Sequence, residues 1–267
     1  MLDDGLTDEL WQRLAPLIPP QPRRFRYPGR RPVHDRAALT GIVFVLRTGV
    51  AWRDLPATFG CSGVTCWRRL RDWQATGVWQ ALHERLLAEL RAAGRLDLHA
   101  ALIDAAHLHA LKRGQQVGPS PVNRGHPGSK HHLITDRAGI PLAVALTGGN
   151  RHDVTQLLPL VEAIPPIRGR RGRPKRRPRY LLADRAYDHR RYRRQLAERG
   201  ITVIIARRST PHGFGLGRQR WPVERTLGWL HQFRRLRTRW ERRTDIHQAF
   251  LLLACSIICL RRLHRSL

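Results

Sequence analysis

Apolar positions recur at spacings of three and four along the first ninety-odd residues, which predicts a series of amphipathic helices. The first has Leu10, Trp11, Leu14, Leu17 and Ile18 inward, Thr7 as its cap and Pro19-Pro20 as its stop. Asp35 is set to cap a second, through Leu39, Ile42, Val43, Val45 and Leu46 to Gly49. After Trp52 to Gly60 and a turn at Cys61-Ser62-Gly63, Val64, Trp67, Leu70 and Trp73 mark a third. Trp79, Leu82, Leu86 and Leu90 face inward from a fourth, which spans Val78 to Ala93 and ends at Gly94.

From about Leu96 the pattern shortens to apolar runs of strand length. Leu98 to Ala106 is the first, and His131–Asp136 and Pro141–Leu146 form a hairpin across Arg137-Ala138-Gly139. Asp153 would cap a helix with Leu157, Leu158, Leu160 and Val161 inward. Then come a strand Tyr180–Ala183, a helix to Gly200, a strand Ile201–Ala206, and a helix with the stripe Val223, Leu227, Leu230. The expected architecture is α/β, a mixed sheet with helices on it behind an all-α N-terminal region. The expected division is 1–95 and 96–267.

Three acids stand where such a fold places chemistry. Asp184 follows Tyr180-Leu-Leu-Ala, Asp104 follows Ala101-Leu-Ile, and Glu224 follows Arg220-Trp-Pro-Val. A carboxylate at the C-terminal end of a buried strand projects from the sheet edge, where open α/β folds bind ligands. Pro222 is tolerated in a first helical turn, which would put Glu224 near a helix N-terminus, where the dipole favours negative charge. Arg220, Glu224, Gly228, His231 and Arg235 would then share one face.

Charge narrows the class of partner. The chain has 267 residues with 49 Lys and Arg against 20 Asp and Glu, a net +29, which points to a polyanion and to nucleic acid before a membrane. Three carboxylates converging in so basic a chain suggest divalent cations and phosphate. The third helix carries Arg68, Arg69 and Arg71 off its apolar face, as either a groove-entering helix of a helix-turn-helix or the solvated face of a bundle. The densest cationic run, Ile167 to Arg179, holds Arg170, Arg171, Arg173 and Lys175 among glycines and prolines, so an extended loop beside the site is expected. Its Arg171-Gly-Arg-Pro-Lys175 is either a minor-groove hook or a set of phosphate contacts. Cys61, Cys66, Cys255 and Cys259 are read as buried or free thiols in a reducing cytoplasm. The apolar run Ala249–Leu260 is too short to span a bilayer, and no signal-peptide pattern opens the chain, so a cytoplasmic, nucleoid-associated protein with no membrane partner is expected.

The blocks Ile103-Asp104-Ala, Gly128-Ser-Lys130, Asp136-Arg-Ala-Gly139-Ile-Pro141, Asn150-Arg-His-Asp153, Leu182-Ala-Asp184-Arg-Ala-Tyr187-Asp188 and Val223-Glu224-Arg225 resemble, in order and spacing, the DDE transposases of the insertion-sequence-five family. That resemblance implies a ribonuclease-H-like catalytic domain after a helix-turn-helix-like one, with Asp104, Asp184 and Glu224 as catalytic and metal-binding triad. It implies two Mg²⁺ or Mn²⁺ ions, cleavage and strand transfer at terminal inverted repeats, and double-stranded DNA, both ends and target, bound by a homodimer. The DNA-contacting set would be Arg68, Arg69, Arg71, Lys130, Arg170, Arg171, Arg173, Lys175, Arg220, His231 and Arg235. Relatives in the wider group carry Y-x2-R-x3-E-x6-K around the glutamate. Here Arg220 and Glu224 match, but Gly217 stands at the Tyr position and His231 at the Lys position, which leaves the phosphate contact to Arg218, His231 or Arg235. A nuclease of the same fold that cuts without joining is the nearest alternative, and a non-enzymatic DNA-binding regulator the next.

Overall fold

The computed structural model describes residues 4–20, 26, 32–207 and 216–264. Most of the expected proline and arginine loop from Gln21 to Pro32 and the side chain of Arg218 lie outside the described residues. The N-terminal helices are α1 (Asp4–Leu14), α2 (Asp35–Thr48), α3 (Gly63–Ala75) and α4 (Val78–Ala92). Gly49 ends α2 at φ 74°, and the Ser62 side chain accepts from the Thr65 N–H at the start of α3. α1 begins three residues before Thr7, so that threonine is inside the helix and not its cap. Asp35 is the first helical residue of α2, after His34 as cap. Trp52 to Gly60 makes two single 3₁₀ turns, Trp52–Asp54 and Ala57–Phe59, because Pro56 lacks the N–H a continuing helix needs. The tight helix pair here is therefore α3 and α4, joined at Thr76-Gly77.

The sheet is built from β1 (Ala100–Ala110), β2 (Gly118–Pro119), β3 (Pro127–Asp136), β4 (Pro141–Gly148), β5 (Tyr180–Ala183), β6 (Thr202–Ile205) and β7 (Thr238–Arg239). Its main order is β4-β3-β1-β5-β6, with β3 antiparallel to both neighbours and β1, β5 and β6 parallel. This mixed sheet is the ribonuclease-H-like arrangement that the sequence blocks implied. The short β2 extends β3, and β7 pairs with the far end of β1. The remaining helices are α5 (Leu157–Glu162), α6 (Arg190–Glu198), α7 (Leu216–Gln232), α8 (Arg234–Arg237) and α9 (Thr244–His264).

α9 joins the parts. Its residues Ala249 to Leu260 are all buried, and it packs on α3 and α4 on one side and β4 on another, in one continuous core from Leu10 to Leu260. The apolar run expected to be short thus belongs to a 21-residue helix that by length and composition alone could cross a membrane. Here 78% of its most apolar window is covered by protein. All four cysteines are free and buried, and Cys61 and Cys66 lie with their sulfurs 3.2 Å apart.

Candidate active site

Asp104 and Asp184 are brought level by strand register. β1 and β5 run parallel with Leu102 beside Leu182, and each acid lies two residues further on. Asp184 Oδ1 accepts from the Ala186 N–H at 3.0 Å, which starts the 3₁₀ turn Arg185–Tyr187 and turns the chain away from the sheet. Asp104 Oδ1 accepts from the Ala105 N–H at 2.8 Å. The third acid arrives from α7, where Val223, Thr226, Leu227 and Leu230 are buried and Glu224 is exposed. Thr226 donates to the Gly139 carbonyl at 2.6 Å, and Arg225 to that of Ala138, so the helix is fastened to the β3–β4 turn.

Arg220 couples the acids. Its Nη2 is 3.1 Å from Asp104 Oδ2 and 3.8 Å from Glu224 Oε1, with the Arg220 side chain only 13% exposed. The Asp104 carboxyl is pushed up to about 6, chiefly by burial and further by the charges of Asp184 and Glu224, against the Ala105 N–H and Arg220, which lower it. Such a group holds its proton more tightly folded than unfolded. Its contribution to stability is therefore lost as pH rises from about 4 to about 6, and the deficit is complete above that. Asp104→Asn should accordingly stabilise the metal-free, DNA-free protein at pH 7.5 by on the order of 1–3 kcal/mol, seen as a higher melting temperature, and this gain should shrink toward pH 5. A lower melting temperature at pH 7.5 would show that the Arg220 pair outweighs burial.

The donor set fits a hard divalent cation, since all three side chains offer carboxylate oxygens. Among the described residues no group of three His, Cys, Asp or Glu side chains is arranged to hold a metal as it stands. The Arg220 guanidinium compensates part of the charge of Asp104 and Glu224.

Two sequence expectations about this helix are corrected. α7 begins at Leu216, so Pro222 is inside it and Glu224 sits mid-helix, away from the N-terminal dipole. The buried stripe and the Thr226 and Arg225 anchors hold the helix through the proline. Arg235 does not share the Glu224 face, because the chain leaves the helix at Phe233 and Arg235 belongs to α8.

Of the cations expected at DNA, Arg68, Arg170, Arg171, Arg173 and Lys175 are exposed. Arg71 lies over the Trp67 ring and pairs with Asp72 at 2.7 Å. Arg69 is committed to Asp35 at 2.6 Å and is 14% exposed. Lys130 and Arg235 are turned inward: Lys130 donates to Asp153 and to the Arg151 carbonyl, both at 2.8 Å, and Arg235 pairs with buried Glu241 at 2.8 Å and donates to the Gly49 and Val50 carbonyls. Neither is available to a phosphate here, because burial of a cation is tolerated only with partners of this kind. Asp153 is thus the first residue of a 3₁₀ turn serving Lys130, and not a helix cap. His231 is half-buried beside His131, with ring centroids 5.5 Å apart, and His131 meets His247 at 2.8 Å. His131 and His132 are wholly buried and serve the core, not a phosphate.

The basic run is more ordered than its composition suggests. Ile167 and Lys175 exchange backbone hydrogen bonds at 2.8 and 2.9 Å, Gly172 turns at φ 82°, and Arg91 from α4 donates to the carbonyls of Ile167 and Arg173. Val64, expected inward on α3, is 59% exposed; Cys66, Leu70 and Trp73 form the buried face.

Residues 97–259 match the family model "Transposase DDE domain", and residues 6–83 match "Putative transposase of IS4/5 family". The chain belongs to the DDE transposases of insertion sequences. This transposase is 61% identical over 151 residues, 57% of its length and 72% of the relative's, to "Putative transposase for insertion sequence element IS402" of Burkholderia cepacia. It is 60% identical over 118 residues, 43% of its length and 80% of the relative's, to "Insertion element IS402 uncharacterized 16.2 kDa protein" of the same organism. A solved Mos1 strand transfer complex aligns with 97% of this chain and 87% of that one at 13% identity and a TM-score of 0.28.

Proposed function

We propose that this DDE transposase uses residues 1–95 to bind the terminal inverted repeats of its own insertion sequence and residues 96–267 to cut and join DNA there. The single observation that carries the reading is Asp104 and Asp184 level on adjacent parallel strands, with Glu224 joined to Asp104 through Arg220. Asp104, Asp184 and Glu224 would hold two Mg²⁺ or Mn²⁺ ions, which when bound supply the positive charge that lets an attacking and a leaving oxygen share one site. Arg220, freed from the carboxylates, turns to the scissile phosphate. Water is the first nucleophile and the released DNA 3′-hydroxyl the second, so no covalent enzyme intermediate is needed. A homodimer would bring two ends together, in the cytoplasm at the nucleoid.

The test incubates the purified chain with Mg²⁺, a duplex carrying an element end and a plasmid target. A nick exposing the end's 3′-hydroxyl, followed by a joined product, is expected. Cleavage with no joined product would reduce the protein to a nuclease, and binding with neither would make it a DNA-binding regulator.

The basic loop is an exposed cationic surface that would track the DNA backbone. Replacing Arg170, Arg171, Arg173 and Lys175 together with Ala should lower the slope of log K against log salt by up to about 0.9 for each phosphate the loop no longer neutralises. An unchanged slope would place the loop off the DNA, and a loss confined to A·T-rich duplex would indicate groove insertion. Arg68 and Arg71 on α3 are tested separately. Their replacement by Ala should weaken binding to the element's ends more than to random duplex, whereas equal weakening would mark a merely basic face.

A further inference from the structure

β1 runs past Asp104 to Ala110 and delivers the loop 111–116, which lies against 240–243, the turn between β7 and α9. One buried side chain fastens both. Arg239 donates to the carbonyls of Gln115 and Gln116 at 2.5 and 2.8 Å in the first loop, and to those of Glu241 and Arg242 at 2.9 and 3.4 Å in the second. The Gln115 N–H donates to the Arg242 carbonyl at 3.1 Å, and the Thr244 N–H to Gln115 Oε1 at 3.4 Å. Glycine is required at 114, because a Cβ there would run into the Arg242 carbonyl and lie 2.8 Å from its Cα.

What these two fixed loops present outward is positive charge. Lys112, Arg113 and Arg242 are exposed and pair with no carboxylate among the described residues. Arg243, beside them, is exposed as well. Its guanidinium holds Asp245 at 2.6 and 3.0 Å and lies 5.8 Å from the centre of the Trp67 ring on α3. Arg71 of α3 lies over the same ring at 5.4 Å, and the exposed Arg68 follows Trp67 in the helix. Trp67 thus sets cations from the N-terminal helices and from the sheet side by side. Like charges gathered on a fixed backbone repel one another in the free protein, and a polyanion removes that repulsion as its counterions are released. The exposed pairs Arg71–Asp72 and Arg243–Asp245 are weak enough in water to be exchanged for phosphate.

We propose that the loops 111–116 and 240–243 form a rigid ledge for the sugar–phosphate backbone of the duplex that α3 engages, so that one DNA end is held by the helical region and the sheet together. The ledge meets phosphate and carries no base preference of its own. This rests on residues 1–95 binding the ends and on Asp104 being a site acid. The ledge also has a place along the DNA. Asp104 lies six residues before the end of β1 at Ala110, roughly 20 Å at about 3.3 Å per residue. That is about six base pairs of duplex at about 3.4 Å each. The end is therefore gripped about six base pairs from the bond to be cut, which fixes the register between recognition and chemistry.

The test combines Lys112→Ala, Arg113→Ala and Arg242→Ala in the full chain and measures binding to an end-bearing and a random duplex across a salt series. On both duplexes the slope of log K against log salt should fall by about 0.9 for each phosphate released, up to roughly 2.7 in all. The preference for the end and the melting temperature should stay at the parent's values. Hydroxyl-radical footprinting of the parent should show a protected stretch of backbone about six base pairs from the cleavage position, and the variant should lose that stretch alone. An unchanged slope, or an unchanged footprint, would overturn the proposal. Lys112→Arg with Arg113→Lys and Arg242→Lys keeps the charge and should bind as the parent does. If it loses the same slope, the loops act through folding and the ledge is refuted. A parent that does not prefer the end-bearing duplex would sink the reading of residues 1–95, while the slope on random duplex would still decide the ledge.

Discussion

Asp104→Asn, Asp184→Asn and Glu224→Gln should each cut single-turnover cleavage and joining by at least about 10³-fold, the scale at which removal of one preorganised charged group is felt. DNA affinity should stay close to that of the parent. Each change removes a charge and leaves the volume. Glu224 is exposed on α7 and packs on nothing that the change disturbs, and Asn at 184 can still accept from the Ala186 N–H. A variant that keeps near-normal cleavage places its residue outside the site. Asp188 is the control: it pairs with Arg193 at 2.6 Å, and Arg193 also donates to the Ile205 carbonyl, so Asp188→Asn should loosen α6 against β6 and leave the chemistry running.

Arg239→Ala should have the largest effect on folding, a decrease of about 3–5 kcal/mol in chemical denaturation, as expected when a buried cation with many partners is removed. Arg239 is 0% exposed. Its guanidinium donates to the carbonyls of Glu241, Gln116 and Gln115 at 2.9, 2.8 and 2.5 Å and to Ser129 Oγ at 2.8 Å. Burial lowers its pKa, with Glu241 opposing. It thereby binds β7 and the segment before β2 to β3, and truncation removes the donor from four acceptors at once, of which the Glu241 carbonyl and Ser129 Oγ are buried. A decrease under about 1 kcal/mol, the range of an exposed ion pair, would mean that water replaces the guanidinium as their donor.

Asp184 and Arg239 differ in how far the sequence alone reveals them. The apolar run Tyr180–Ala183 ending on Asp184 is readable because a buried strand must be continuous in apolar residues, and the observed strand has those bounds. The β3–β4 hairpin is readable from Gly139, which turns at φ 83° where any Cβ would meet the Pro222 carbonyl at 2.8 Å. Nothing local distinguishes Arg239 from the many exposed arginines around it. In a chain with 49 Lys and Arg, composition predicts that most cations face solvent or DNA, and gives no means of choosing the ones that do not.

The sequence by itself determined the order of the main helices and strands, most of their buried positions, and where three candidate acids stand, since periodicity and strand ends are properties of neighbouring residues. Its family-specific blocks also implied the sheet and the transposase family. The tertiary structure decided what each charge is for. It turned Lys130 and Arg235 inward to Asp153 and Glu241, carried α7 through Pro222 so that Glu224 stands mid-helix, and set Arg220 between Asp104 and Glu224. The reason is physical. Hydrophobic burial is non-directional and leaves a periodic trace in the chain, whereas an ion pair or hydrogen bond depends on a few atoms meeting at about 3 Å from segments far apart in sequence.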